Sequence, residues 1–340
     1  MSPTGQTRQT GPTRGRILKQ MLGLLRQQWA GLGAGDFPAA GSDRPDVYDP
    51  EALMIAGALY GRDDPKLFRE VNIWLDAHGD LVNAQRLGNI IESFDAETQP
   101  HILFAVTEII GEHRKELKWR KLFKTKKGSK GASAFSYDAV EPNKLLEAAE
   151  PVAQAYSFDG DAAMRPRPLP MGTNASLLLR LREFFGVNMR ADIINYLLGN
   201  EDGYPREIAR ALFFSQKGVQ DTLAGMARSG MVRVRSKGRE KRYWLERDRW
   251  EVLAGPFPAP PQWRNWVLIF RAVIAAGAAM AGNANTPDGP GIEQTELLNQ
   301  ICKDLEDAGF ARELPDIRNE DPDNALKQVA EAVLKILDSI

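Results

Sequence analysis

The chain has 340 residues, of which 43% are hydrophobic and 26% are charged, and its formal net charge is -1. This is the composition of an ordinary globular protein that is long enough for two or three domains. The single cysteine, Cys302, excludes an internal disulfide framework and a cluster of thiolate ligands, and it suits a reducing, cytoplasmic compartment.

The N-terminal residues 1–15 are polar and contain no apolar run of the length that a signal peptide needs, so they are predicted to form a disordered basic tail. The most apolar segment, residues 266–282, contains Arg271 and is shorter than the ~20 apolar residues required to span a bilayer. We therefore expect a cytoplasmic protein that does not cross a membrane.

Residues 16–158 are predicted to form an N-terminal all-α domain. Asp49 and Asp64 each precede a proline, and Asn83 precedes a further apolar repeat, and all three patterns are typical of helix starts. The predicted helices of this domain cover residues 16–29, three segments between 49 and 94, 99–123, and 142–156.

A cluster of Lys and Arg with interleaved aromatic residues extends from Arg114 to Lys130. One interpretation is a second element that contacts phosphates. The other is a solvated helix end, where cations interact favourably with the helix dipole, followed by a loop. The sequence leaves both interpretations open.

A Pro- and Gly-rich linker at residues 159–175 is the predicted boundary before a central domain, residues 176–254. Residues 262–340 are predicted to form a C-terminal helical module with an apolar helix and two further helices near 293–308 and 322–337. From Asp288 to Asp338 this module has thirteen acidic and five basic residues, a net charge of -8. Such an acidic face is usually only solvated, and we prefer that interpretation to packing on a basic surface.

The strongest local signals of the chain lie in residues 203–247. Pro205 suits the first position of a short helix over residues 206–212, and Ser215 is placed to N-cap a second helix. Gly230 is expected to end that second helix in a left-handed conformation. The second helix has one apolar stripe, formed by Val219, Leu223 and Met226.

The pattern then changes from a helical period to strict alternation. Val232 and Val234 alternate with arginines, and Tyr243 and Leu245 alternate with Arg242 and Trp244. A Gly-containing loop joins the two runs, which is typical of a β-hairpin.

The same segment is strongly basic. Between Arg206 and Arg247 there are eleven Lys or Arg residues and four Asp or Glu residues, a net charge of +7. A helix fits the major groove of DNA, where Gln, Lys and Arg reach base edges, while cations on a hairpin neutralise phosphates beside it. The segment therefore favours double-stranded DNA as a partner, and a basic hairpin that contacts only protein is the alternative.

Residues 207–232, EIARALFFSQKGVQDTLAGMARSGMV, together with the basic hairpin resemble the winged helices of the ArsR and MarR repressor families. The resemblance covers about residues 176–250. It implies a winged helix-turn-helix in a dimeric, sequence-specific transcriptional regulator. Phe213 stands where these families usually have a glycine in the turn.

The resemblance also implies which residues face DNA. Ser215, Gln216, Lys217 and Gln220 fall on the recognition helix, and Lys237, Arg239, Lys241 and Arg242 fall on the wing. The full predicted DNA-binding set adds two cations of the basic segment and consists of Arg206, Ser215, Gln216, Lys217, Gln220, Arg235, Lys237, Arg239, Lys241 and Arg242.

No catalytic motif, cofactor motif or metal-ligand spacing is present in the sequence, so we predict no catalytic residue, no cofactor and no metal site. The three histidines, His78, His101 and His113, are scattered. The fold class is expected to be mainly α, with the N-terminal helical domain, the winged helix and the C-terminal helical module in that order. Two non-enzymatic functions follow: a DNA-binding regulator, and alternatively a scaffold that binds a partner protein through the winged helix, with the N-terminal helices as docking surface.

Overall fold

The computed structural model describes residues 10–35, 44–61, 64–96, 98–111, 116–122, 167–170, 172–238, 240–255, 257, 259–282, 292–318 and 320–340. The protein is mainly helical, as predicted, and the described residues contain one two-stranded sheet. The chain forms two compact units, one made of Met1–Leu25 with Asn265–Ile340 and the other of Arg26–Arg264. The described helices between residues 49 and 122 and the predicted winged helix therefore share one compact unit.

The first helix begins earlier than its sequence pattern indicated. Helix α1 covers Thr10–Gly31, so residues 10–15 of the predicted tail are helical. Pro12 lies in the first turn, where backbone N–H groups have no intrahelical acceptor, and its missing N–H therefore breaks no hydrogen bond. Residues 1–9 of the predicted tail lie outside the described residues.

The next three helices start where their capping residues predicted. Asp49 accepts hydrogen bonds from the N–H groups of Glu51 and Ala52, each at 3.1 Å. Asp64 and Asn83 accept equivalent bonds from the first turns of their helices. The three helices are α2 (Pro50–Tyr60), α3 (Pro65–His78) and α4 (Ala84–Ile91).

The prediction of one long helix over residues 99–123 is wrong. Two helices stand in its place, α5 (Thr98–Ile110) and α6 (Leu117–Leu122). Gly111 follows α5 with a φ of 54°, a left-handed conformation that ends an α-helix. The basic cluster beyond residue 122 and the predicted helix over 142–156 lie outside the described residues, as does most of the predicted linker at 159–175.

The remaining helices and strands of this unit surround one hydrophobic core. Its largest buried members include Trp250, which comes from a short helix that the sequence pattern did not reveal. The elements in chain order are α7 (Leu177–Phe185), α8 (Met189–Gly199), α9 (Pro205–Leu212), α10 (Gln216–Arg228), β1 (Arg233–Lys237), β2 (Glu240–Trp244) and α11 (Arg247–Ala254).

A buried network of charged side chains joins α2, α4, α7 and α8. Arg182 donates to Glu51 at 2.7 and 2.9 Å and to Asp192 at 2.7 Å. Arg86 donates to Glu51 at 2.6 Å and to Asp49 at 2.8 and 2.6 Å. Because a buried charge that loses its partner costs roughly 3–5 kcal/mol, this network ties the N-terminal helices to the core of the predicted winged helix.

The other unit consists of the N-terminal part of α1 and three helices near the C-terminus. Arg271 in the apolar helix forms an ion pair with Asp304, with N–O distances of 2.6 and 2.7 Å. No helix among the described residues is both long enough and apolar enough to cross a bilayer. The three C-terminal helices are α12 (Trp266–Gly282), α13 (Ile292–Asp307) and α14 (Pro322–Ser339).

Candidate nucleic-acid interface

The candidate interface begins with the short helix α9. Pro205 occupies its first position, as predicted, where the missing N–H breaks no hydrogen bond. Glu207 accepts a hydrogen bond from the backbone N–H of Tyr204 at 3.0 Å, which satisfies a donor that would otherwise lack a partner. Ile208 is fully buried, whereas Arg206 is exposed. One side of the helix thus packs into the core, and the other side is exposed to solvent.

The turn after α9 is built around Phe213, which adopts φ 58° and ψ 41°. This is the left-handed conformation for which glycine is usually chosen at such a turn. Two side chains of α4 donate to the turn: Arg86 Nε to the carbonyl of Leu212 at 3.0 Å, and Asn89 Nδ2 to the carbonyl of Phe213 at 2.8 Å. Contacts from outside the helix pair therefore hold the chain in this conformation.

Helix α10 then presents two different faces. The backbone N–H of Gly218 donates to Ser215 Oγ at 3.3 Å, so Ser215 is the N-cap that the sequence predicted. Val219, Leu223 and Met226 are buried in the core. The predicted DNA-facing side chains are all exposed on α10 or at its start: Ser215, Gln216, Lys217 and Gln220.

Gly218 lies where the start of α10 meets α8. A Cβ atom at this position would lie 2.9 Å from Ser215 Oγ and 3.0 Å from Met189 Cε. The glycine therefore allows α8 to pack closely against the capped first turn of α10. After the helix, Gly230 has a φ of 75°, the left-handed conformation that was predicted there.

Strands β1 and β2 form the antiparallel hairpin that the alternating pattern predicted. Arg235 pairs with Arg242 and Lys237 pairs with Glu240 in the strand register. The hairpin is joined to the segment before α9, because Gly203 and Tyr243 exchange two backbone hydrogen bonds of 3.0 Å. Tyr243 is buried, and Lys241 is exposed.

Two cations of the predicted DNA-binding set, of which only Arg242 was predicted on the wing, are engaged within the chain. Asp202 Oδ2 accepts a bond from Arg235 Nη2 at 2.9 Å, and Asp202 Oδ1 accepts one from Arg242 Nη1 at 2.6 Å. The guanidinium of Arg242 also lies over the ring of Tyr204, 4.3 Å from its centroid. This contact could not be predicted from the local sequence pattern, because Asp202 is 33 and 40 residues away from its two partners.

The predicted site residues thus fall into three groups. Arg206, Ser215, Gln216, Lys217, Gln220 and Lys241 are exposed, and Arg235 and Arg242 are paired with Asp202. Lys237 is the last residue of β1, and Arg239 lies outside the described residues.

Within the part of the chain that the structure describes, no three His, Cys, Asp or Glu side chains are arranged to hold a metal ion. His113, one of the three histidines noted in the sequence, lies outside that part.

Comparisons of the chain with protein-family models, with curated protein sequences and with solved structures give no match in any of the three. The resemblance to the ArsR and MarR repressors therefore stays a prediction.

Proposed function

We propose that residues 176–254 form a winged helix-turn-helix and that the protein is a sequence-specific, double-stranded DNA-binding transcriptional regulator. It acts in the cytoplasm as a homodimer whose two recognition helices read half-sites about 34 Å apart. In this proposal α9 and α10 are the helix-turn-helix, α10 is the recognition helix, and β1 and β2 are the wing.

The single observation that carries the proposal is the division of α10 into a buried face and a polar, exposed N-terminal face. The exposed face contains Gln216, Lys217 and Gln220, whose side chains can bond base edges in a major groove. Recognition helices contact bases through their N-terminal residues, and Gln216, Lys217 and Gln220 lie in the first two turns of α10. The excess of cations between Arg206 and Arg247 adds a sequence-independent attraction to phosphates.

The test starts with selection of DNA fragments by the full-length protein from a genomic pool, followed by affinity measurements on selected and unselected duplexes. Substitution of Gln216 and Gln220 by alanine should lower affinity for selected sequences and leave unselected ones nearly unchanged. Gln85→Ala, an exposed glutamine on α4, is the matched control. Equal discrimination by the double variant and the wild type would refute the assignment of α10 as recognition helix.

The wing is tested by the combined alanine substitution of Lys237, Arg239, Lys241 and Arg242. Affinity should fall for every sequence, and the salt dependence should flatten by up to ~0.9 in slope for each lost phosphate contact. Lys327→Ala with Lys335→Ala, two exposed lysines of α14, controls for lost positive charge. Binding equal to that of the wild type would overturn the wing assignment. Purification of a stoichiometric protein partner without retention of any DNA would favour the scaffold alternative.

A further inference from the structure

The wing contains two arginines that share one carboxylate. Arg235 and Arg242 are directly opposite each other in the β1–β2 register, so their side chains leave the same face of the hairpin. Asp202 gives one oxygen to each of them, at 2.9 and 2.6 Å. The carboxylate is 18% exposed, whereas the arginines are 64% and 38% exposed. The anion is therefore covered by the two cations, which themselves face solvent.

The position of Asp202 is set by its backbone. The next residue, Gly203, exchanges two hydrogen bonds of 3.0 Å with Tyr243, which is adjacent to Arg242 in β2. A Cβ atom on Gly203 would lie 2.9 Å from Ile208 Cγ1, so glycine allows the loop to lie this close to α9. The guanidinium of Arg242 lies over the ring of Tyr204. The backbone beside Asp202 is thus hydrogen-bonded to β2 and lies close to α9, which holds the carboxylate next to the wing.

The geometry at Asp202 resembles that of a bound phosphodiester. The two oxygens of the Asp202 carboxylate each accept a hydrogen bond from one guanidinium, and the two non-bridging oxygens of a phosphate can bridge two guanidinium groups in the same way. Two adjacent guanidinium groups repel each other unless an anion lies between them. In the structure Asp202 supplies that anion, so Arg235, Arg242 and Asp202 together have a net charge of +1.

We propose that Asp202 is an internal competitor for the phosphodiester backbone: it occupies the anion position between Arg235 and Arg242 and so weakens the attraction of the wing for any duplex. The inference rests on the proposed DNA-binding function and adds a device that limits sequence-independent affinity. A phosphate binds this arginine pair only by displacing or sharing the carboxylate. The base contacts of α10 are unaffected, so the reduction is the same for every sequence.

The decisive variant is Asp202→Asn, which keeps the shape of the side chain and removes its charge. Affinity for an unselected 20-base-pair duplex should rise about threefold to tenfold near 0.1 M salt, because the side chain no longer forms ion pairs that compete with phosphate for the two arginines. The slope of log affinity against log salt should steepen by up to ~0.9, the value for one further neutralised phosphate. Fluorescence anisotropy over a KCl series measures both quantities.

Glu201→Gln is the matched control, because Glu201 is the exposed neighbour of Asp202 in the same loop and the variant makes the same change of charge. An effect of Asp202→Asn no larger than that of Glu201→Gln, or a loss of affinity, would overturn the inference and assign Asp202 to orienting the arginines. Asp202→Ser serves as a second variant if circular dichroism shows that Asp202→Asn is unfolded.

A second measurement separates this inference from the proposed function. The arginine side-chain N–H signals of Arg235 and Arg242 are followed by NMR during titration with inorganic pyrophosphate. They should respond at lower concentration in Asp202→Asn than in the wild type or in Glu201→Gln. If no variant binds duplex DNA but this difference is present, the DNA-binding proposal fails and the internal anion stands. If duplex DNA binds and the difference is absent, the DNA-binding proposal stands and the inference about Asp202 fails.

Discussion

Phe213 adopts a left-handed backbone conformation that costs a residue with a side chain about 1–2 kcal/mol relative to glycine. The chain tolerates this conformation because α4 donates two hydrogen bonds to the turn, from Arg86 to Leu212 and from Asn89 to Phe213. The angle between α9 and α10 therefore depends on two side chains that are more than 120 residues away in sequence.

Replacing Asn89 by alanine should therefore loosen this turn. We expect the free energy of unfolding to fall by about 1 kcal/mol, the usual contribution of one hydrogen bond. Amide hydrogen exchange, measured by NMR, should become faster at residues 213–218. Asn72→Ala is the control, because Asn72 donates to Phe68 within its own helix at 2.9 Å. Unchanged exchange at the turn in Asn89→Ala would show that Asn89 does not hold it.

Helix α10 combines a capped start, one buried face and two glycines in different surroundings. A Cβ on Gly218 would be crowded by Ser215 Oγ and Met189 Cε at 2.9 and 3.0 Å. The nearest atom to a Cβ on Gly225 is Arg228 Nη2 at 3.8 Å, an ordinary contact. Of these two glycines, only the first is required by packing, since the second sits in the helix with space for a methyl group.

Alanine at the two glycines should have different effects on stability. Gly225→Ala should raise the free energy of unfolding by about 0.5–1 kcal/mol, because alanine has the higher helix propensity. Gly218→Ala should show no such increase, because displacing Ser215 from its capping position costs about 1 kcal/mol and offsets the gain in helix propensity. Urea denaturation of the two variants side by side measures the difference. Equal stabilisation by both substitutions would contradict the packing role of Gly218.

At the scale of the whole molecule, the compact unit Arg26–Arg264 is held by buried charges as well as by its apolar core. Glu51 bonds both Arg86 and Arg182, which belong to helices on either side of residues 123–166 in sequence. Burial by itself would raise the pKa of Asp49, but the combined effects of Arg86, the backbone N–H of Ala52 and Arg182 outweigh burial and lower the pKa. The ionised form of Asp49 therefore stabilises the folded unit.

This shift predicts a dependence of stability on pH. The unfolded chain protonates Asp49 at about pH 3.9, whereas the folded chain keeps it ionised to lower pH because its pKa is lowered. The stabilisation is fully present above about pH 4 and is lost as the pH falls through the lower, folded value. Asp49→Asn should therefore be less stable than the wild type at pH 7, and the gap should shrink below about pH 4.

Urea denaturation at pH 7, 5, 4 and 3 measures this gap. Asp221→Asn, at an exposed position on α10, is the control and should differ little from the wild type throughout. A gap between wild type and Asp49→Asn that stays constant as the pH is lowered would contradict the lowered pKa of Asp49.

Local sequence alone determined where most of the described helices begin and that the chain is mainly helical. Asp49, Asp64, Asn83 and Ser215 cap the helices that they were expected to cap, because a cap depends only on the next two or three residues. The hairpin could likewise be predicted, since its alternating pattern is contained in a few neighbouring residues.

The contacts between residues far apart in the chain are visible only in the folded protein. The pairing of Asp202 with the wing, the bonds from α4 to the backbone at Phe213 and the network around Glu51 each join groups that are tens of residues apart or more. Two helices stand where one was predicted, because the chain adopts a left-handed conformation at Gly111 and the first helix ends there. Periodicity and capping describe neighbours along the chain, whereas ion pairs and buried polar bonds depend on which distant side chains the fold brings together.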